Sequence, residues 1–342
     1  MSLKKGVSFI KTKNINKLIS IVCIAGAMVS LAVGVIGSIL IFTYLKIDKL
    51  NYKPLDYAEK TAYTEDLLTK NTVLNVCLFG LDRRDKSDTK SRSDSIMLLS
   101  VNNSLRKIKL VSFMRDLYTK IPGYTPNRLN VAIACGGESL AIKTLQSLFG
   151  IKVDKYATID FYGFRDVINI IGGIEIKLSK AEVRYINEDI AYLRSKSKPL
   201  PVAEGVYLLD GDKALSYARA RKVSTPEGLH DDYARTYRQR LVIETIIKKM
   251  RKCSPGQILK AVEKIGPYIV TDFKKSEILA LAQNVPKYIK YEVEQFRIPT
   301  DDNVRGENIY GMSVLTIPNI RRARYELAKF LYEKDLKIKE RN

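Results

Sequence analysis

Between residues 216 and 240 the chain reads SYARARKVSTPEGLHDDYARTYRQR, which places Arg219, Arg221, Arg235, Arg238 and Arg240 around the adjacent aspartates Asp231 and Asp232. A guanidinium fork binds phosphate oxygens bidentately, so arginines gathered at this density point to a phosphorylated ligand. A second charged group, Asp82, Arg92, Asp94, Arg115 and Asp116, is spread over a longer stretch. Two aspartates meeting there offer the hard oxygen ligands that a divalent cation takes. Each group also has a plainer reading: a buried arginine and aspartate network that supports the fold, and charged residues that only mark loops.

The elements that must position these groups follow from periodicity. From Asp231 a helical pattern continues through LVIETIIKKM, with Val242, Ile243, Ile246 and Ile247 recurring at helical spacing. Projected at about 100° per residue, Asp232, Arg235 and Gln239 fall on the same side as that apolar stripe, nearer the helix N-terminus, whereas Arg240 lies about 80 to 100° away from Asp232 and Gln239. Charge aimed inward is costly without a partner. An anionic ligand is the natural partner, bound by the forks of Arg219 and Arg235 and by the partial positive charge of the helix N-terminus.

Apolar runs at 73–79, 95–101 and 108–113, punctuated by Gly80 and by Asn102-Asn103-Ser104, predict a three-stranded antiparallel meander. The end of the first strand, the start of the second and the end of the third then share one rim, which would collect Asp82, Arg92, Asp94, Arg115 and Asp116. Beyond it the pattern predicts helices over 138–148, 161–171, 181–191, 213–219, 276–283 and 320–333, strands over 156–159, 174–178 and 291–298, and a turn region over 203–211. Phe161, Phe164, Ile168 and Ile171 stand at core spacing and could alternatively line an acyl-chain tunnel.

With 46% hydrophobic and 28% charged residues, the 342-residue chain can bury a substantial core, and its formal charge of +21 implies an acidic environment. Residues 18–45 carry no charge and are long enough to cross a bilayer. Lys4, Lys5, Lys11, Lys13 and Lys17 precede them without an acid, which favours a cytoplasmic N-terminus. A cleaved signal peptide is the competing reading, but its apolar region is normally about 7–15 residues. The expected topology is a basic tail at 1–17, a single membrane span at 18–45, a juxtamembrane spacer at 46–70 and the rest outside the cell, where nucleic acid is not an expected partner. Cys23, Cys77, Cys135 and Cys253 form no CxxC pair, and a disulfide between Cys135 and Cys253 remains an option. The single His230 excludes a multi-histidine metal site.

In their number and order, these residues resemble the LytR-CpsA-Psr phosphotransferases, membrane-anchored enzymes of Gram-positive cell-envelope assembly. The resemblance rests on Gly80-Leu81-Asp82-Arg83-Arg84, Arg92-Ser93-Asp94, Arg115-Asp116, Gly136-Gly137, Asp160-Phe161, Gly172-Gly173-Ile174 and Leu209-Asp210-Gly211. It rests most on Tyr217-Ala218-Arg219-Ala220-Arg221 and on Asp232, Arg235, Arg238 and Gln239 in a D-x-x-R-x-x-R-Q pattern. Met114 stands where the family usually has proline, and Ser95 where it often has threonine.

The resemblance implies an α/β fold, a mixed β-sheet flanked by helices that enclose a polyprenyl-lipid pocket, with a catalytic core over 71–250 and a C-terminal α/β part over 251–342. By that analogy Arg92, Arg115, Arg219, Arg221, Arg235, Arg238 and Gln239 would bind a lipid pyrophosphate, and Asp82 and Asp94 would hold Mg²⁺, or Mn²⁺ in its place. Asp82, Arg92, Asp94, Arg115 and Asp232 would form the catalytic group, with Asp232 either activating an acceptor hydroxyl or orienting an arginine. The implied reaction moves a glycopolymer from its polyprenyl-pyrophosphate carrier to a peptidoglycan hydroxyl as a phosphodiester. The alternatives are a pyrophosphohydrolase using the same groups with water, and a non-catalytic envelope regulator.

Overall fold

Apolar, β-branched-rich runs cut by polar turns produce a short strand β1 (Asn51–Tyr52) and then the meander of β2 (Val73–Leu81), β3 (Ser93–Asn102) and β4 (Lys107–Phe113). The computed structural model describes residues 51–55, 73–83 and 91–333. The expected basic tail, the membrane span with Cys23, most of the spacer and Arg84 lie outside the described residues, and among those described no helix is long and apolar enough to cross a membrane.

The meander is antiparallel as predicted, with Leu78 opposite Met97 and Leu99 opposite Leu110, and a bulge between Gly80 and Leu81. Two-residue strands β5 (Tyr118–Thr119) and β6 (Asn127–Arg128) then form a small hairpin. Helix α1 (Ala132–Phe149) begins before the predicted 138–148 and bends where Gly137 adopts a φ of 65°. Strand β7 (Lys155–Asp160) joins β2 in parallel, and α2 (Phe161–Ile170) is N-capped by Asp160, whose carboxylate accepts from the Gly163 amide at 2.8 Å.

Next come β8 (Ile174–Leu178), α3 (Lys180–Tyr192), β9 (Gly205–Leu209) and α4 (Gly211–Arg219). Strand β9 corrects the expected turn over 203–211. Among the described residues it pairs only with β8, and it turns Val206 and Leu208 outward, 67% and 59% exposed, so its sequence lacks the alternation that marks a half-buried strand. Helix α5 (Asp231–Met250) spans the predicted length. It is followed by α6 (Pro255–Ile265), β10 (Val270–Thr271), α7 (Lys275–Tyr288), β11 (Glu292–Ile298), the hairpin of β12 (Arg305–Ile309) and β13 (Met312–Thr316), and α8 (Ile320–Tyr332).

Seven strands form one mixed sheet in the order β1-β10-β7-β2-β3-β4-β11, so the C-terminal segment supplies strands to both flanks of the meander. The two faces of this sheet are filled differently. On one, Cys77, Phe79, Leu98, Val111 and Phe113 are sealed beneath Leu145 and Phe149 of α1 and Leu327 and Leu331 of α8. On the other, Val76, Met97 and Leu110 are buried while Leu74, Leu78 and Leu99 stay half-buried. Helix α5 runs along this second face. Arg240 donates to Gln295 of β11 at 3.1 Å, and Ile247 packs with Leu74 and Leu99 against the cluster of Val101, Ile108 and Tyr291.

Two family-like glycines are explained by close approach. A Cβ on Gly211 would stand 2.2 Å from the carbonyl oxygen of Arg165, so α4 can start against α2 only without a side chain there. Gly173, with a φ of 76°, combines a left-handed backbone with a Cβ position 2.7 Å from the Leu209 carbonyl, which lets β8 and β9 pair directly.

Candidate functional site

The rim predicted from the meander exists, and α5 brings its first turns to it. Arg115, leaving β4, donates through Nη1 to Asp94 at the start of β3. Its Nε lies 3.3 Å from Asp232 and 3.6 Å from Asp116. Arg235 donates through Nη2 to Asp232 at 2.7 Å and has Nη1 3.9 Å from Asp94. Arg221 approaches Asp232 at 3.9 Å from the loop after α4, and Arg128 of β6 approaches Asp116 at 3.8 Å. Arg115, Arg128, Arg221 and Arg235 thus converge on Asp94, Asp116 and Asp232, which leaves an excess of positive charge before any other group is added.

Burial sharpens the electrostatics. Arg235 is 2% exposed, and its burial pulls the guanidinium below its ordinary value despite Asp232. Desolvation acts on Arg115 in the same sense, but Asp94, Asp232 and Asp116 together outweigh it and hold that guanidinium above its ordinary value. Burial pushes the Asp232 carboxyl upward, against the opposing pull of Arg235 and Arg115. The Nε–H groups of Arg115, Arg128 and Arg235 are buried and make no hydrogen bond among the described residues. Buried donors of this strength are normally satisfied, and an anion with several oxygens at the rim would satisfy them.

The structure treats the other expected site residues unequally. Asp82 lies on the same rim, its amide donating to the Arg92 carbonyl at 3.2 Å. The Arg92 side chain is exposed and Gln239 is half-buried. Arg219 stacks its guanidinium 4.7 Å above the Phe161 ring, beside the network. His230 occupies the N-cap position of α5 without a side-chain capping bond, its Nδ1 lying 2.8 Å from the Ser224 hydroxyl. Cys135 and Cys253 are free, so the disulfide option is not realised.

Arg238 is the clear correction. It is 0% exposed and fully engaged: Nε and Nη2 donate to Glu182 at 3.0 and 2.9 Å, Nη1 to the Ala220 carbonyl at 3.0 Å, and Nη2 also to the carbonyls of Val223 and Ser224 at 2.9 and 3.2 Å. All three of its nitrogens are turned to Glu182 and to the backbone of 220–224, and no part of the side chain is exposed to meet a pyrophosphate. Arg240, outside the expected ligand group, is also buried, and burial followed by the neighbouring Arg297 brings its guanidinium down to about 10.

Sequence reasoning did not single out Arg128 as a site residue. Arg128 belongs to a two-residue strand, too short for any periodic signal, and only the Pro122-Gly123 turn hinted that the chain doubles back to the rim there.

A sequence model of the LytR_cpsA_psr family matches residues 41–326. The chain is 28% identical over 265 residues to the polyisoprenyl-teichoic acid--peptidoglycan teichoic acid transferase TagU of Bacillus cereus, covering 76% of this chain and 80% of that protein. It is 26% identical over 302 residues to the corresponding transferase TagV of Bacillus subtilis, covering 85% of this chain and 73% of that protein. The solved LytR-CPS2A-psr family protein YwtF (TagT) with bound octaprenyl pyrophosphate lipid shares the fold, with a TM-score of 0.61 at 22% identity over 82% of this chain and 99% of that one.

Proposed function

Because the chain belongs to the LytR-CpsA-Psr family, whose model spans residues 41–326, we propose that it transfers a glycopolymer from a polyprenyl-pyrophosphate carrier to a hydroxyl of peptidoglycan. The observation that carries this reading is the cluster of buried guanidinium donors on the rim, directly above a sheet face that α5 leaves incompletely sealed. Helix α5 joins the two, running from Asp232 and Arg235 at the rim to Ile247 beside Val101 and Ile108 at the far end of the strands. A pyrophosphate held at the rim would leave its polyprenyl chain beside the half-buried Leu78 beneath α5. The relatives TagU and TagV are named for teichoic acid transfer of this kind, and a protein of the same fold holds octaprenyl pyrophosphate.

In the proposed reaction the acceptor oxygen attacks the phosphorus on the glycan side of the pyrophosphate. The bond from that phosphorus to the bridging oxygen breaks, and polyprenyl phosphate leaves. Arg115 and Arg235 bind and orient the pyrophosphate and meet the charge that grows on the leaving phosphate, the step where fixed donors contribute most. Asp232, 3.3 Å from Arg115 and 2.7 Å from Arg235, would either keep both forks aimed or take the hydroxyl proton.

Asp82 and Asp94 supply hard oxygens on one rim, while among the described residues no group of three or more His, Cys, Asp or Glu gathers as a metal cage. That donor set suits Mg²⁺ or Mn²⁺, since Mg²⁺ usually takes one or two carboxylates and fills the rest of its sphere with substrate phosphates and water. Such an ion would supply Lewis-acid neutralisation of the pyrophosphate.

The detergent-extracted chain, given lipid-linked glycopolymer, should form a glycan-peptidoglycan adduct only when peptidoglycan is present, and EDTA should remove most of that turnover. Release of glycan at an equal rate without peptidoglycan would favour the hydrolase reading. Full activity in EDTA would remove the metal from the scheme. We also propose that residues 18–45 anchor the chain in the cell membrane with its C-terminal part outside, on the strength of the lysines that precede that uncharged run. Alkaline phosphatase fused after Asn342 should then be active and a fusion at Lys17 inactive, and the reverse pattern would overturn the topology.

A further inference from the structure

Arg238, removed above from the anion-binding set, has a different part to play. The segment between α4 and α5 carries Arg221 and continues through Val223, Ser224, Thr225, Pro226 and Glu227 without regular structure. Its later half is closed by a local turn, the Leu229 amide donating to Thr225 Oγ1 at 3.2 Å and the Gly228 amide to the Thr225 carbonyl at 2.9 Å; the 220–224 stretch before it is held by a side chain from outside. Three of its carbonyls, those of Ala220, Val223 and Ser224, accept from the single guanidinium of Arg238, and Ala220 and Val223 bracket Arg221. Arg238 itself is fixed from the opposite side by Glu182, which uses Oε1 for Arg238 and Oε2 for the Ser179 amide at 2.9 Å in the capping box of α3. The Tyr217 ring, on α4, lies 5.6 Å from the same guanidinium.

Arg238 projects from α5, the helix that also carries Asp232 and Arg235. One buried side chain therefore ties the Arg221 segment, α3 and α5 into a single unit, and Arg221 meets Asp232 across that junction at 3.9 Å. Arg221 itself is 53% exposed and makes no closer ion pair among the described residues, so its position depends on the backbone that carries it. We infer that Arg238 and Glu182 are positioning residues that hold the 220–224 segment so that Arg221 faces the pyrophosphate. The inference rests on the head-group reading given above. It adds residues that touch neither substrate nor metal yet set the geometry of one that does, and a lysine cannot replace the planar fork at such a site.

A double-mutant cycle with the full chain in detergent tests this. Arg238→Lys should lower kcat/KM per folded molecule by about tenfold in the wild-type background, and by less than about twofold when Arg221→Ala is already present. Glu182→Gln, which keeps an acceptor oxygen but not the charge, should show the same loss of effect in the Arg221→Ala background, and it serves as the test if Arg238→Lys does not fold. A purely structural pair would lower the melting temperature and leave turnover per folded molecule unchanged, which overturns the inference. Losses that multiply independently of Arg221 overturn it as well. If polyprenyl pyrophosphate fails to stabilise even the wild type, the head-group reading has failed; if it stabilises the wild type while the cycle is additive, only the positioning role has failed.

Discussion

Arg235→Ala should reduce transfer by about a hundredfold to a thousandfold, the scale seen when a preorganised donor to a developing oxyanion is removed. The expectation follows from how this side chain is held. It is 2% exposed, gives Nη2 to Asp232 at 2.7 Å, lies 3.9 Å from Asp94 through Nη1, and keeps a buried Nε–H with no hydrogen bond. Burial already works against its charge, so an anion beside it is worth more there than beside an exposed arginine. Its loss does not strand Asp232, which retains Arg115 at 3.3 Å and Arg221 at 3.9 Å. The ligand-free melting temperature should therefore move little, while the stabilisation given by polyprenyl pyrophosphate should largely vanish. Arg235→Lys, which keeps the charge and loses the fork, should fall between alanine and wild type. Thermal melting with and without the lipid, together with turnover, checks this. A variant that unfolds without ligand, or that gains the full lipid-induced shift, would show that Arg235 belongs to the scaffold.

Arg238→Ala should lower the melting temperature of the ligand-free chain as well as its turnover, although it lies only one helical turn from Arg235 on the same helix. Glu182 is 2% exposed and would become a buried carboxylate without its partner, and three backbone carbonyls would lose their donor. Removing one member of a buried ion pair typically costs about 3–5 kcal/mol. For a domain of this size that corresponds to a fall in melting temperature of roughly 5–15 °C. Adding Glu182→Gln to an Arg238→Met variant should recover part of the loss, because the cost lies mainly in the stranded charge. Denaturant or thermal unfolding of the single and double variants decides it. A single variant as stable as the wild type would mean that the Glu182 contact contributes nothing, and the positioning role would fall with it.

These two arginines show where sequence reasoning stops. Both belong to one D-x-x-R-x-x-R-Q pattern, and a helical projection assigns each a direction, but only the fold supplies what stands there. For Arg235 it is a rim crowded with other guanidinium groups; for Arg238 it is Glu182, which comes from α3, 56 residues earlier in the chain. Arg128 reached the rim through a strand of two residues, and β9 escaped notice because its exposed side is apolar.

By itself the sequence determined the meander, the length of α5 and the rim at which Asp82, Asp94, Arg115 and Asp116 are collected. Those features depend on local periodicity and on strand ends that any antiparallel neighbour brings together. The tertiary structure alone decided that β11 closes the sheet in parallel beside β4, that the face under α5 is left partly unsealed, and which arginines remain open to a ligand. The reason is physical. A guanidinium has the same chemistry in every setting, and whether it binds a ligand or holds a loop depends on the carboxylates and carbonyls that distant segments bring within about 3 Å of it.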